Sequence, residues 1–126
     1  MARRTAALTS QNKMTIIMVM AKKQPFTLVY ADEVKLHLRA VEPKYHAAIR
    51  SEIEFQLLYE PDVETRNRKP LKRPVSFGAD WELRLGPKNR FGVFYQVDTQ
   101  GRSVRVLAFG VKERNRLIIG GEEIIG

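Results

Sequence analysis

The chain has 126 residues, with 22 Lys or Arg against 14 Asp or Glu, so its formal net charge is +8. This length predicts one domain with a core of its own, and the absence of cysteine excludes a disulfide framework, a zinc knuckle, an iron–sulfur site and a thiol nucleophile. The only histidines are His37 and His46, and the longest apolar run, residues 16–20, is far shorter than the ~20 residues that cross a bilayer.

Residues 1–24 are predicted to be an extension of a domain that spans residues 25–126. The start of the chain is polar and shows no periodicity. The apolar run at 16–20 is too short for a secretory signal and lacks a cleavage site of small residues. We expect the extension to be disordered or to precede the true start of translation, with Met20 the most natural alternative start. The protein is therefore expected to stay in the cytoplasm.

A strand and two helices are predicted to open the domain. Residues 26–30 are rich in β-branched and aromatic side chains, as short strands are. A first helix is predicted over about 32–40. A second begins at Pro43, a residue that the first helical turn tolerates, and ends near Tyr59. Residues 62–80 are predicted to form a loop. The apolar positions at helical spacing are Val34, Leu38 and Val41, then Tyr45, Ile49, Ile53 and Leu57.

Three strands with alternating apolar residues are predicted next, over 81–85, 90–98 and 103–112. The turns between them are short, so neighbouring strands run antiparallel and form a meander. The helix pair is the available cover for the apolar face of this sheet. The fold class is therefore α+β, with an N-terminal strand and two helices packed on one face of the meander. The residues expected on that face are Trp81, Leu83, Leu85, Phe91, Val93, Tyr95, Val97, Leu107, Phe109 and Val111.

The opposite face of the sheet is predicted to be open and positively charged. Residues 66–116 contain 13 basic residues against four acidic ones. Concentrated positive charge favours a polyanion, either nucleic acid or an acidic segment of a partner protein. A charged face that only keeps the domain in solution is the alternative. The residues expected on this face are Glu82, Arg84, Arg90, Gly92, Phe94, Gln96 and Lys112.

Together these segments resemble the RelE/ParE toxin superfamily of prokaryotic toxin–antitoxin systems. The resemblance covers about residues 25–118, and it is clearest in Trp81–Leu85, in Asn89–Asp98 and in Val104–Leu117. It implies a RelE-like fold and a ribosome-dependent endoribonuclease that cuts mRNA by attack of the ribose 2′-oxygen on the adjacent phosphate. No metal is implied, because cations in a partly desolvated groove stabilise charge on phosphorus and a side chain transfers protons.

The resemblance also implies the site residues. Arg84 falls on a basic position that would hold the RNA backbone, and Lys112 on one that would stabilise the phosphorane or the leaving oxygen. Gly92 stands where the family has an arginine, and Arg90 is expected to substitute for it as a third catalytic cation. Ile118 stands where a tyrosine is expected. The cations expected to bind RNA are Arg68, Lys69, Lys72, Lys88, Arg114 and Arg116.

Three functions remain open from the sequence. The first is a toxin that inhibits translation as an mRNA interferase, acting on the ribosome and its mRNA. The second is a ParE-like or degenerate toxin-fold protein that acts by binding a protein. The third is a plain RNA-binding module. In the first two cases the expected partner is a cognate acidic antitoxin with a segment that folds on the basic face. No cofactor and no membrane contact are expected.

Overall fold

The computed structural model describes residues 24–73, 75 and 77–124, so the predicted N-terminal extension lies almost wholly outside the described residues. Among the described helices, none is long and apolar enough to cross a membrane. The elements are β1 (Thr27–Tyr30), α1 (Asp32–Arg39), a 3₁₀ turn (Pro43–Tyr45), α2 (His46–Leu57), β2 (Arg68–Pro70), β3 (Trp81–Leu85), a second 3₁₀ turn (Pro87–Asn89), β4 (Phe91–Asp98), β5 (Ser103–Glu113), β6 (Arg116–Ile119) and β7 (Glu122–Ile124).

The described strands form one sheet in the order β2-β3-β4-β5-β6-β7, with β1 also paired to β5. β3, β4 and β5 are the predicted antiparallel meander. β1 runs parallel to β5 and pairs with residues 103–106, whereas β6 runs antiparallel and pairs with residues 110–113. The N-terminal strand is therefore part of the sheet, on the side of β5 that β6 also uses.

Both helices cover one face of this sheet, as the sequence predicts. α1 has acidic residues in its first turn and basic residues in its last, an arrangement that suits the helix dipole. α2 presents Ile49, Ile53 and Leu57 to the sheet at a spacing of four residues. The main core also contains Phe26, Val34, Val41, Leu83, Leu85, Phe91, Val93, Tyr95, Val104, Val106 and Phe109.

Because of a β-bulge, the alternation of side chains along β5 differs from the predicted one. Phe94 and Tyr95 are adjacent on β4, but their partners on β5 are two residues apart, so Leu107 is an extra residue in the ladder. Such a bulge shifts the phase of the side chains. The sequence predicted that Leu107 and Phe109 share a face. In the structure Leu107 instead packs with a second apolar cluster on the other face.

That second cluster covers part of the face that the sequence predicted to be open. Phe94 is 4% exposed there. The ring of Phe77 packs edge-on against that of Phe94, with 5.5 Å between the ring centroids. The cluster joins Ala79, Phe94, Ala108 and Ile119 with Leu71, Val75, Phe77, Leu107 and Leu117. The cluster occupies the middle of this face, with Arg84, Gly92 and Lys112 at one end of it and the polar pair Gln96 and Arg105 at the other.

Three short strands were not predicted. β2 lies within the expected loop 62–80 and pairs with β3. β6 and β7 form a hairpin after the last predicted strand. Its turn contains Gly120 and Gly121, whose φ values of 61° and 86° suit a two-residue hairpin turn.

Candidate functional site

A buried carboxylate joins two of the predicted catalytic cations. Oε2 of Glu82 lies 3.2 Å from Nζ of Lys112 and 3.6 Å from Nε of Arg84. The exposed fraction of the side chain is 10% for Glu82, 28% for Lys112 and 45% for Arg84. Glu82 and Arg84 are two residues apart on β3 and so face the same side, while Lys112 reaches them from β5. We call these three residues the Glu82 cluster.

Two glycines lie beside the Glu82 cluster. Gly92 on β4 pairs with Arg84 on β3 and with Gly110 on β5, so the three residues form one row across the sheet. A Cβ atom at Gly92 would lie 3.1 Å from Oε2 of Glu82. The missing side chain therefore gives the carboxylate its room. Gly92 is buried, although the sequence predicted an exposed position.

Asn67 fixes the backbone of Arg84. The backbone nitrogen of Arg84 donates to the carbonyl oxygen of Asn67 at 2.8 Å, and Nδ2 of Asn67 donates to the carbonyl oxygen of Arg84 at 2.9 Å. These bonds fasten the segment before β2 to the edge of β3. No sequence pattern indicated this role, because Asn67 lies among arginines in a segment predicted to be a loop.

Three further predicted cations lie at the end of the sheet near the Glu82 cluster. The β3–β4 connection and the β5–β6 turn meet there because these strands are antiparallel. Lys88 and Arg90 belong to the first and Arg114 to the second, and all three are exposed. The backbone nitrogen of Lys112 donates to the carbonyl oxygen of Arg90 at 2.7 Å. These cations extend the positive surface beyond Arg84 and Lys112.

Arg68 is a structural residue, which corrects its predicted place among the RNA-binding cations. It is 7% exposed. Its guanidinium donates to the carbonyl oxygen of Gln56 at 2.6 Å, to Oε1 of Gln56 at 3.2 Å and to the carbonyl oxygen of Val63 at 3.0 Å. Arg68 thus satisfies one carbonyl group in the last turn of α2, where a cation is favourable, and one in the loop that follows, and it is not available to a polyanion.

The other predicted RNA-binding cations are dispersed. Lys69 lies opposite Glu82 in the β2–β3 ladder, and its Nζ atom is 3.3 Å from Oε2 of Glu64. Arg116 makes an exposed ion pair of 3.6 Å with a glutamate of β7, and exposed pairs of this kind stabilise a fold little. Lys72 is exposed just beyond β2, beside the start of β3. Of these three, Lys69 is the neighbour of the Glu82 cluster.

Neither Tyr95 nor Ile118 is placed to transfer a proton to RNA. Tyr95 is 0% exposed, and its hydroxyl donates to the carbonyl oxygen of Pro61 at 2.7 Å. Burial raises the pKa of this hydroxyl well above its usual value, although nearby Arg68 opposes the shift. Tyr95 is thus a core residue, as predicted. Ile118 pairs with Val111 of β5 and has no proton to give.

The Glu82 cluster and its surroundings can stabilise negative charge. Lys112 and Arg84 bring N–H donors near the same oxygen atom, and preorganised donors of this kind stabilise a developing oxyanion. Among the described residues, no group of three or more His, Asp or Glu side chains is placed to hold a metal ion.

No protein-family model matches the chain, and no curated protein matches it. A solved structure does match: a chain of the toxin–antitoxin complex RelBE2 from Mycobacterium tuberculosis is 25% identical, with a TM-score of 0.55. The match covers 70% of this chain and 99% of that chain. The predicted resemblance is therefore confirmed: this chain has the fold of a RelE-like toxin.

Proposed function

We propose that the protein is the toxin of a toxin–antitoxin pair and that it inhibits translation by cutting mRNA on the ribosome. The likeness to a chain of the RelBE2 toxin–antitoxin complex supports the first part. The second part is supported above all by the convergence of Arg84 and Lys112 on one oxygen atom beside Gly92. Its action on ribosomes requires that the protein work in the cytoplasm.

In the proposed reaction the ribose 2′-oxygen attacks the adjacent phosphorus and the bond from phosphorus to the 5′-oxygen breaks. The 2′-hydroxyl loses a proton and the leaving 5′-oxygen gains one, which yields a 2′,3′-cyclic phosphate and a 5′-hydroxyl. Arg84 holds the RNA backbone, and Lys112 stabilises the additional charge on the phosphoryl oxygens. Lys112 has a proton to share with the leaving oxygen, whereas Ile118 and the buried Tyr95 have none available.

The RNA on either side of the cut would contact the exposed cations at the same end of the sheet. Lys88, Arg90 and Arg114 extend from the Glu82 cluster along the β3–β4 connection and the β5–β6 turn. Their charges would hold successive phosphates, and this attraction weakens as salt concentration rises. Lys69 extends the same surface on the β2 side.

The proposed partner is a cognate antitoxin with an acidic segment. The excess of positive charge over residues 66–116 is suited to such a segment, and the solved neighbour is itself a toxin–antitoxin complex. A segment that covers Arg84 and Lys112 would block RNA from the same surface. Binding of the antitoxin and of mRNA would then be mutually exclusive.

A non-catalytic toxin that acts by binding a protein is the second candidate. Two observations favour it: glycine and isoleucine occupy positions 92 and 118, and the Glu82 carboxylate neutralises part of the charge of Lys112 and Arg84. This candidate predicts growth arrest without cleavage of mRNA.

Inducible expression in a bacterial host, with sequencing of mRNA 5′ ends, tests both candidates. The proposed enzyme arrests growth and produces new 5′ ends within coding regions. The double variant Arg84→Ala/Lys112→Ala should lose both effects. Lys44→Ala is the control, because it removes a cation that is 67% exposed and lies outside the site. Arrest with intact mRNA supports the protein-binding candidate, and undiminished cleavage by the double variant contradicts the proposed site.

A further inference from the structure

The carboxylate of Glu82 lies where a substrate phosphate would meet both proposed catalytic cations. Its Oε2 atom is within 3.6 Å of nitrogen atoms of Arg84 and Lys112 and next to Gly92. We propose that Glu82 is an internal counter-ion that a phosphate group of the substrate must displace. This inference rests on the proposed function, and it assigns to Glu82 the control of anion affinity at that site.

Charge alone holds the Oε2 atom of Glu82 in place. Glu82 is 8% exposed, and a buried carboxylate is costly unless it is paired. Among the described residues no group donates a hydrogen bond to Oε2, although Lys112 is close enough for an ion pair. Buried polar atoms normally have hydrogen-bond partners. An oxygen held only by ion pairing can be replaced by another anion without the loss of directed bonds.

A phosphate group is suited to the same place. It carries several oxygen atoms that accept hydrogen bonds, and both Arg and Lys bind phosphate. Because Gly92 has no Cβ atom, the space beside it that Oε2 of Glu82 now fills would be open to a phosphate oxygen once the carboxylate leaves. A phosphate between Lys112 and Arg84 would gain the N–H donors that Glu82 leaves without good geometry.

The displaced carboxylate has a second cation beside it. Lys69 is directly opposite Glu82 in the β2–β3 ladder, and its side chain is 54% exposed. Opposite charges at such cross-strand positions attract each other. Lys69 is paired with the exposed Glu64 at 3.3 Å, and an exposed pair of this kind exchanges at little cost. Movement of Glu82 from Lys112 towards Lys69 therefore keeps the carboxylate paired while it opens the site.

The counter-ion also explains how these cations stay close together in the free protein. Without Glu82, Lys112 and Arg84 would repel each other in a partly buried place. With it, the cluster carries one net positive charge instead of two. A weakly bound anion cannot displace the carboxylate easily, so the site favours an RNA backbone whose other phosphates bind Lys88, Arg90 or Arg114 at the same time.

Calorimetric titration of the full-length protein with inorganic pyrophosphate and with a short 2′-O-methyl RNA tests this inference without any cleavage step. Glu82→Gln should bind both anions about tenfold more tightly than the unmodified protein, because the competing charge is gone. Glu42→Gln is the matched control: it also removes one negative charge and an ion pair to a lysine, but Glu42 is 65% exposed and lies outside the site. Its affinities should stay within about twofold of the unmodified protein, since screening limits the reach of exposed charges.

Equal affinities of Glu82→Gln and the unmodified protein would overturn the inference, and so would an equal gain in Glu42→Gln. If Glu82→Gln instead lost mRNA cleavage while its anion affinity stayed unchanged, Glu82 would act in proton transfer and not as a counter-ion. If Glu82→Gln bound anions more tightly but neither protein cut mRNA, the counter-ion role would stand and the enzymatic proposal would fail.

A second measurement covers the case in which Glu82→Gln does not fold. In the unmodified protein, the ¹³C resonance of the Glu82 side-chain carboxyl should move during titration with pyrophosphate, as the carboxylate leaves Lys112. The carboxyl resonance of Glu42 should not move. A Glu82 resonance that stays fixed at saturation would overturn the inference.

Discussion

The imidazole of His37 takes the place of a strand partner for Phe109. Its Nδ1 atom lies 3.2 Å from the backbone nitrogen of Phe109 and accepts the hydrogen of that amide. On this side of β5, β1 pairs with residues 103–106 and β6 with residues 110–113. The amide of Phe109 lies in the gap between these two strands, and α1 closes the gap with His37.

Stability should fall in mild acid because of this contact. Burial lowers the pKa of His37 below its ordinary value of 6.5, although Glu33 opposes the shift. The folded state favours the neutral ring, so the unfolded chain takes up the proton first as the pH falls below 6.5. The contribution of His37 to the free energy of unfolding should therefore be fully present above this pH and should decrease below it. It should level off once folded His37 is protonated as well.

Urea unfolding between pH 7.5 and 5 measures this loss, with His37→Asn as the control. The amide oxygen of asparagine can accept the Phe109 hydrogen but does not titrate in this range. The variant should lose the part of the pH dependence that belongs to His37. A variant with the same pH dependence as the unmodified protein would show that another group is responsible.

Replacement of Arg68 should destabilise the fold strongly. Arg68→Ala leaves the carbonyl oxygens of Gln56 and Val63 without their charged donor, and we expect a loss of about 3 kcal/mol in the free energy of unfolding. Lys69→Ala, at the next residue, removes an exposed side chain with one surface ion pair and should cost less than about 0.5 kcal/mol. Similar unfolding midpoints for the two variants in urea would contradict the structural role of Arg68.

The two glycines of the site should respond differently to a methyl group. A Cβ atom at Gly110 would lie 2.8 Å from Cδ1 of Leu117 and 3.1 Å from the carbonyl oxygen of Ile118. At Gly92 the nearest atom would be Oε2 at the end of the Glu82 side chain, at 3.1 Å. Gly110→Ala should therefore cost about 2 kcal/mol through overpacking. Gly92→Ala should change stability by less than about 1 kcal/mol, because alanine also suits a strand better than glycine.

Thermal unfolding of the two alanine variants checks this order, and a larger loss in Gly92→Ala would contradict it. The burial of Gly92 also bears on the variant Gly92→Arg. An exposed position on an open face would accept the arginine side chain without loss of stability. In the structure, the guanidinium would compete with Lys112 for Glu82, and the variant should be less stable than the unmodified protein.

Tyr95→Phe should separate stability from activity. The variant loses the hydrogen bond from the Tyr95 hydroxyl to Pro61, and a buried carbonyl group is left without its donor. We expect a loss of about 1–2 kcal/mol in the free energy of unfolding. Toxicity on expression in bacteria should persist where the variant is folded. A folded Tyr95→Phe protein without toxicity would place the tyrosine in the reaction, contrary to its buried position.

The helices and the central strands could be predicted because apolar spacing reports directly on a buried face. Ile49, Ile53 and Leu57 fall on one side of a helix, and Leu83 and Leu85 on one side of a strand. Leu107 could not be placed in this way. One extra residue in the ladder reverses the alternation, and nothing in the apolar run around Leu107 marks where the bulge occurs.

Polar residues at the site were harder to interpret than the core. Arg84 and Lys112 were predicted together, and they meet in the structure at the same carboxylate. Glu82 was predicted on their face, but a sequence does not give the side-chain distances that make it their partner. Arg68 was predicted among exposed cations because it lies in a basic run. Its burial depends on the pairing of β2 with β3, and a strand of three residues is too short for its sequence to predict that pairing.

Cleavage of a defined mRNA by the purified protein, with and without programmed ribosomes, is the most direct test of the proposed mechanism. Primer extension should show cuts at the decoding site only when ribosomes are present. Loss of one oxyanion-stabilising donor typically costs about 10²–10³ in rate, so Arg84→Ala and Lys112→Ala should each cut at least about 10²-fold more slowly, while Lys44→Ala should cut like the unmodified protein. No ribosome-dependent cuts by the unmodified protein, or undiminished cuts by the two site variants, would contradict the account.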